Sequence, residues 1–158
     1  MEPELQQTPP AGSVPAKADL SKRVIAMIID GAIAGVLSTI PVAGGIIGGL
    51  YILLRDGFDF DFMKGRSVGK TLMKLRPVRL DGGVMDFGTS IKRNWMFALG
   101  LVISALALIP ILGWMLIPFV AILSPIVVII EAFLVYSDDQ GRRFGDRLAD
   151  TRVIETAD

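Results

Sequence analysis

Residues 21–38 read Ser-Lys-Arg-Val-Ile-Ala-Met-Ile-Ile-Asp-Gly-Ala-Ile-Ala-Gly-Val-Leu-Ser. The pattern is that of an apolar helix with one carboxylate, Asp30, two turns inside it and a cation, Arg23, at its start. On a helix, Arg23 and Asp30 fall within about 20° of each other. Met27, Gly31, Ala34, Gly35 and Ser38 share that sector, whereas Ile25, Ile29, Ile33, Val36 and Ile40 take the opposite one. Small residues let helix backbones approach in lipid, so Gly31-x-x-x-Gly35 predicts packing against protein, with the isoleucine face toward acyl chains. Asp30 then points into a bundle, where ionisable side chains within membrane segments find their partners.

The 158 residues suffice for one domain. They are 52% hydrophobic with a mean hydropathy of +0.57, high for a water-soluble fold. Neither cysteine nor histidine is present. That removes disulfides, thiol chemistry, imidazole bases and nearly all zinc, haem and iron–sulfur sites. No cofactor or metal is expected, and no sound catalytic constellation remains, so an enzyme is not the expectation.

Two long apolar runs carry the fold. Residues 24–54 hold one charge, Asp30, and residues 95–136 hold one, Glu131. A single span needs about 20 residues, so each run is either one long tilted helix or a hairpin. Pro41 with Gly44-Gly45 marks a break in the first run, and Pro110 with Gly113 marks one in the second. The 16 lysines and arginines decide between the readings. They lie at Lys17, Lys22 and Arg23, at nine positions from Arg55 to Arg93, and at Arg142, Arg143, Arg147 and Arg152. Two hairpins put all three groups on one side, as the positive-inside rule requires. The expected class is therefore an all-α membrane protein of four transmembrane helices in two hairpins, at about 22–40, 42–56, 90–109 and 114–136. A small cytoplasmic cap forms from the loop 57–89 and the tail 137–158. Residues 1–19, rich in proline and polar residues, are expected to be a disordered tail.

Within the loop, Val68, Leu72 and Leu75 with Lys70, Lys74 and Arg76 predict a basic amphipathic helix at the membrane interface. Residues 77–80, Asp81-Gly82-Gly83 and Val84-Met85 predict strand, turn and strand, and 151–154 is a further strand-like run able to pair with 77–80. Asp86 is the expected N-cap of the third helix, and Trp95 and Tyr136 fall where aromatic belts form. Gly65-Arg-Ser-Val-Gly69-Lys70-Thr71 has three residues where a P-loop has four, so nucleotide binding is not expected. Asp56, Asp59 and Asp61 lack the following ligands of a calcium loop and read as a solvated acidic turn. No nucleic-acid partner is expected.

Asp30 and Glu131 lie at similar depth, and Ser38, Ser104 and Ser124 lie above the charges on three helices. Two readings stay open. One is an ion, proton or ligand site built from Asp30, Glu131 and the three serines. The other is structural pairing of Asp30 with Arg93 or Arg23, with the serines bonding their own backbone. Arg23 is about 10 Å from Asp30 along the axis, so Asp30 reads as one corner of an inter-helix cluster with Arg93 and Glu131. Pro118 and Pro125 are candidate kinks in the last helix.

Lys22-Arg23 with Asp30, then Gly65-x-Ser67-x-Gly69-Lys70-x-Leu72, Leu75-Arg76-x-Val78, Asp81-Gly82-Gly83, Phe87-Gly88 and Arg93-Asn94, and finally residues 142–151, resemble the RDD family of integral membrane proteins over about 20–155. The family's signature arginine and two aspartates correspond to Arg23, Asp30 and Asp146. Many members carry a histidine just before the last aspartate, where this chain has Gly145, and Asp150 replaces a glycine of the same tail. The resemblance implies a multi-pass protein of the bacterial plasma (inner) membrane that transports unidentified ligands. Asp146 is expected to pair with Arg147, Arg143 or Lys70 and to hold the tail against the 65–80 loop. Four short helices make a thin pathway, so a homo-oligomer in the lipid bilayer is expected. The alternative is a non-transporting scaffold or accessory subunit whose buried charges are structural.

Overall fold

The structure, a computed structural model, describes residues 17–41 and 43–157. Most of the tail expected to be disordered, residues 1–16, lies outside the described residues. Helix α1, Leu20–Ser38, starts at Asp19, whose carboxylate accepts from the backbone N–H of Ser21 and Lys22. A tight turn leads into α2, Gly44–Leu54, which packs back along α1. The contact residues are not those expected. Gly31 and Gly35 face open space, and the close approach is made by the glycines of α2. A Cβ on Gly48 would overlap Ser38 Oγ and the Ala34 carbonyl, and one on Gly45 would overlap Ser104 Oγ. The Gly44-Gly45 and Gly48-Gly49 pairs put two bare surfaces on one short helix, so α2 fits between α1 and α5 (Leu99–Ala107).

Between α2 and α5 the chain builds a polar cap. Helix α3, Val68–Leu72, is only five residues long, and it docks on α1. Lys70 is buried there, so this segment does not present the extended basic face predicted for 68–75. Strand β1, Leu75–Arg79, pairs antiparallel with β2, Thr151–Glu155, placing Pro77 opposite Val153. The pairing with the tail is as expected. The predicted partner at 84–85 forms no strand, because β1 takes its ladder from β2. Leu75 and Val153 then meet Ala18 and Ala26 in a small apolar core that ties the sheet to α1.

The helix expected at 90–109 is three pieces. Helix α4, Phe87–Asn94, is capped by Asp86 as predicted, a 3-10 turn follows at Trp95–Phe97, and α5 comes after it. The break falls where the polar face of α4, with Ser90, Arg93 and Asn94 buried, gives way to uniformly apolar sequence. Helix α6, Leu112–Ser137, is continuous through Pro118 and Pro125. It spans about 39 Å, long and apolar enough to cross a membrane. Helix α7, Phe144–Leu148, packs on α4 and leads into β2.

Asp150, between α7 and β2, has φ +47°, the left-handed region that favours glycine. Its carbonyl accepts from the Leu80 N–H, so the conformation is used to start the ladder. Asp150→Gly retains that hydrogen bond and relieves the strain. It should raise stability by on the order of 1 kcal/mol, read as a higher melting temperature in detergent.

Candidate functional site

Five cations and four carboxylates gather where the bundle meets the cap. Asp30, 1% exposed, takes a full set of donors. Its Oδ1 accepts from Tyr51 Oη at 3.0 Å and from the Gly69 N–H at 2.8 Å. Its Oδ2 accepts from Arg55 Nη1 at 3.0 Å and from Ser67 Oγ at 2.6 Å. Gly69 is required for this contact, since a Cβ there would overlap the Ala26 carbonyl of α1. The partners expected for Asp30, namely Arg93, Arg23 and Glu131, all bond elsewhere. The reason is geometric. Asp30 points toward α2 and α3, and Arg55 emerges from the end of α2 beside it.

Asp56, also fully buried, follows Arg55. It pairs with Lys70 Nζ at 2.5 Å, accepts from Asn94 Nδ2 at 3.3 Å and lies 3.9 Å from Arg93 Nε. Asp56 is thus part of the cluster, while Asp59 and Asp61 are exposed. Lys70, expected as a partner for Asp146, is taken by Asp56 instead.

Asp146 closes the network. Arg23 Nη2 lies 3.0 Å away, Arg93 Nη2 2.9 Å and Arg143 Nη2 3.3 Å. Arg147 turns away to Asp138, at 2.9 Å. Of the three partners expected for Asp146 only Arg143 is one, and the carboxylate ties the tail to α1 and α4 rather than to the 65–80 loop. Arg143 also stacks over the Phe97 ring, 4.9 Å from its centroid. A Cβ on Gly145 would overlap the Arg93 carbonyl. The histidine that the family resemblance leads one to expect at this position has no room here unless α7 moves off α4.

Glu131 of α6, 1% exposed, accepts the Phe144 N–H on Oε2 at 2.8 Å. Its Oε1 is buried with no partner among the described residues. Glu131 and Asp30 border one cavity of about 70 Å³ between α1 and α6, but they are not bonded to each other. The serines do not join them. Ser38, Ser104 and Ser124 donate to the carbonyls of Ala34, Gly100 and Val120, each four residues back in its own helix.

Burial alone would raise the carboxyls of Asp56 and Asp146. Lys70, Arg93 and Arg55 around the first, and Arg143, Arg93 and Arg23 around the second, outweigh it and hold both well below the ordinary value of 3.8. With depressed folded values, their contribution to stability is complete above pH 3.8 and is lost as pH falls below it.

The chain is mostly helical, with one helix long and apolar enough to cross a membrane and a buried cluster of ion pairs in the cap. The RDD family profile matches residues 42–150, more than half of the sequence, and the chain belongs to the RDD family. The match includes Asp146 and begins after Arg23 and Asp30, which are bound to the matched region through Asp146 and Arg55. No curated protein and no solved structure matches the chain.

Asp146→Ala leaves three guanidiniums without their shared carboxylate. Breaking a buried pair costs about 3–5 kcal/mol, so limited proteolysis should cut the tail after α6 faster than in the wild type. In an acid titration followed by circular dichroism, stability should be flat from pH 7 to about pH 5 and fall steeply below about pH 4.

Proposed function

We propose that this chain is a non-enzymatic membrane scaffold, in which the buried charges latch a cytoplasmic cap onto a bundle of four spans. The observation that carries the reading is the saturation of Asp30, whose two oxygens take four protein donors. A carboxylate so occupied has no vacancy for a passing ion, and its role is to hold α1, α2 and α3 together.

Arg23, Arg55 with Lys70 and Arg93, and Arg143 come from the three separate basic groups of the sequence, yet they meet in one cluster. That meeting supports two hairpins with both termini on the side where the basic residues collect, by the positive-inside rule the cytoplasmic side of a bacterial plasma (inner) membrane. Trp95 and Tyr136, both exposed, lie near that end. The helix surfaces left apolar, such as Ile122, Ile129 and Phe133 of α6, fit contact with the lipid bilayer or with a second copy in a homo-oligomer.

A second reading, transport of a small ion or other ligand, is favoured by one feature, the unpartnered Glu131 Oε1 in the cavity between α1 and α6. Ser38, Ser104 and Ser124 contribute no donor to either reading while they bond their own helices.

Reconstitution into liposomes distinguishes the two. The scaffold reading expects no flux of sodium, potassium or protons above protein-free vesicles. It also expects Asp30→Asn to lower the melting temperature, with a loss of about 3–5 kcal/mol. Measurable flux that disappears in a folded Asp30→Asn or Glu131→Gln variant overturns it in favour of transport.

A further inference from the structure

The cavity between α1 and α6 has features that the latch does not use. Helix α1 packs on α2 and α3, and α6 packs on α5 and the 3-10 turn. Where α1 and α6 face each other, Val24 and Met27 on one side and Val128 and Ala132 on the other leave an apolar slot. Its lining also includes the polar side chains of Arg23, Asp30, Arg55, Glu131 and Arg143.

Two atoms on that wall lack partners among the described residues. Glu131 Oε1 is an acceptor without a donor, and Arg55 Nε is a donor without an acceptor. Leaving either buried and unpaired costs free energy.

We propose that this slot binds a membrane phospholipid with a primary-ammonium headgroup, of the phosphoethanolamine class. The ammonium donates to Glu131 Oε1, the phosphate accepts from Arg55 Nε, and the acyl chains lie along the apolar walls of α1 and α6. A cavity of about 70 Å³ matches the ammonium end of such a headgroup, with the phosphate nearer the mouth. The N–H is essential to the match. A quaternary choline headgroup carries the same charge but has no proton to give Oε1, and it is larger. An anionic headgroup without an ammonium satisfies the arginine but leaves the carboxylate oxygen bare. The inference goes beyond the scaffold reading and rests on α1 and α6 lying in the bilayer, which cysteine labelling of single-cysteine variants tests separately.

Native mass spectrometry of the detergent-purified full chain gives the test. The protein is offered phosphatidylethanolamine and phosphatidylcholine of identical acyl chains in equal amount. The expected result is at least a tenfold preference for the ethanolamine lipid. Glu131→Gln should abolish that preference, because the amide oxygen takes the Phe144 N–H and its NH2 then turns a donor toward the ammonium. If Glu131→Gln does not fold, Val128→Phe, which fills the slot from its apolar side, should reduce occupancy by the ethanolamine lipid to the level of the choline lipid. Equal binding of the two lipids by the wild type overturns the proposal, as does a preference that survives in a folded Glu131→Gln. Displacement of the lipid by millimolar soluble phosphoethanolamine also overturns it, since the walls would then contribute nothing and the ligand would be a free zwitterion.

Discussion

Asp146 bridges three guanidiniums drawn from α1, α4 and its own segment, and the cap depends on that contact. Arg93 is wholly buried, a condition that a guanidinium tolerates only with charge opposite it. Removing the carboxylate would leave Arg93 to be rehydrated, and α7 would have to part from α4 to let water in. The tight seat of Gly145 on the Arg93 carbonyl exists because the ion pair holds the two segments at backbone contact. The apolar core of the cap, Ala18, Ala26, Leu75 and Val153, is too small to do this alone.

Asp30 and Asp56 do for α2 and α3 what Asp146 does for α7. Each carboxylate joins elements that are distant in sequence, and Arg55 and Arg93 lie between them, so the three acids share cations rather than forming isolated pairs. Buried pairs of this kind contribute little net stability compared with apolar packing, but they permit few alternative arrangements. That suits a cap assembled from short pieces, since neither α3 nor α7, five residues each, is long enough to be stable on its own.

How much of this was legible in the sequence varies with the physics involved. The apolar runs and their breaks predict four helical regions, and the alternation at 151–154 finds its partner in β1. Asp86 caps a helix as expected because capping is local. The split of 90–109 was hidden because Trp95, Met96 and Phe97 continue the apolar run, and only tertiary packing decides that a 3-10 turn falls there. The membership of Asp30, Asp146 and Arg93 in a buried network could be anticipated from their positions, whereas their partners could not. One of them was nonetheless countable. Asp30 lies eight residues before the end of α1 and Tyr51 seven residues after the start of α2, so an antiparallel hairpin sets them side by side, with Arg55 one turn further. Ser67 and Gly69 carry no such signal, because the path from α2 to α3 is irregular. The idle oxygen of Glu131 is invisible to sequence altogether, since what it lacks among the described residues is a hydrogen-bond donor.

The separation between Arg23 and Asp146, 123 residues, also sets an order of events during synthesis. Arg23 and Arg93 leave the ribosome well before the carboxylate that they share. Until residue 146 has been made, these two guanidiniums are without the carboxylate they share in the folded protein. The cap then closes last, as Asp146 arrives and β2 pairs with a strand made some 75 residues earlier. The same arginines are thus made early and buried last, as the keystones of the folded end.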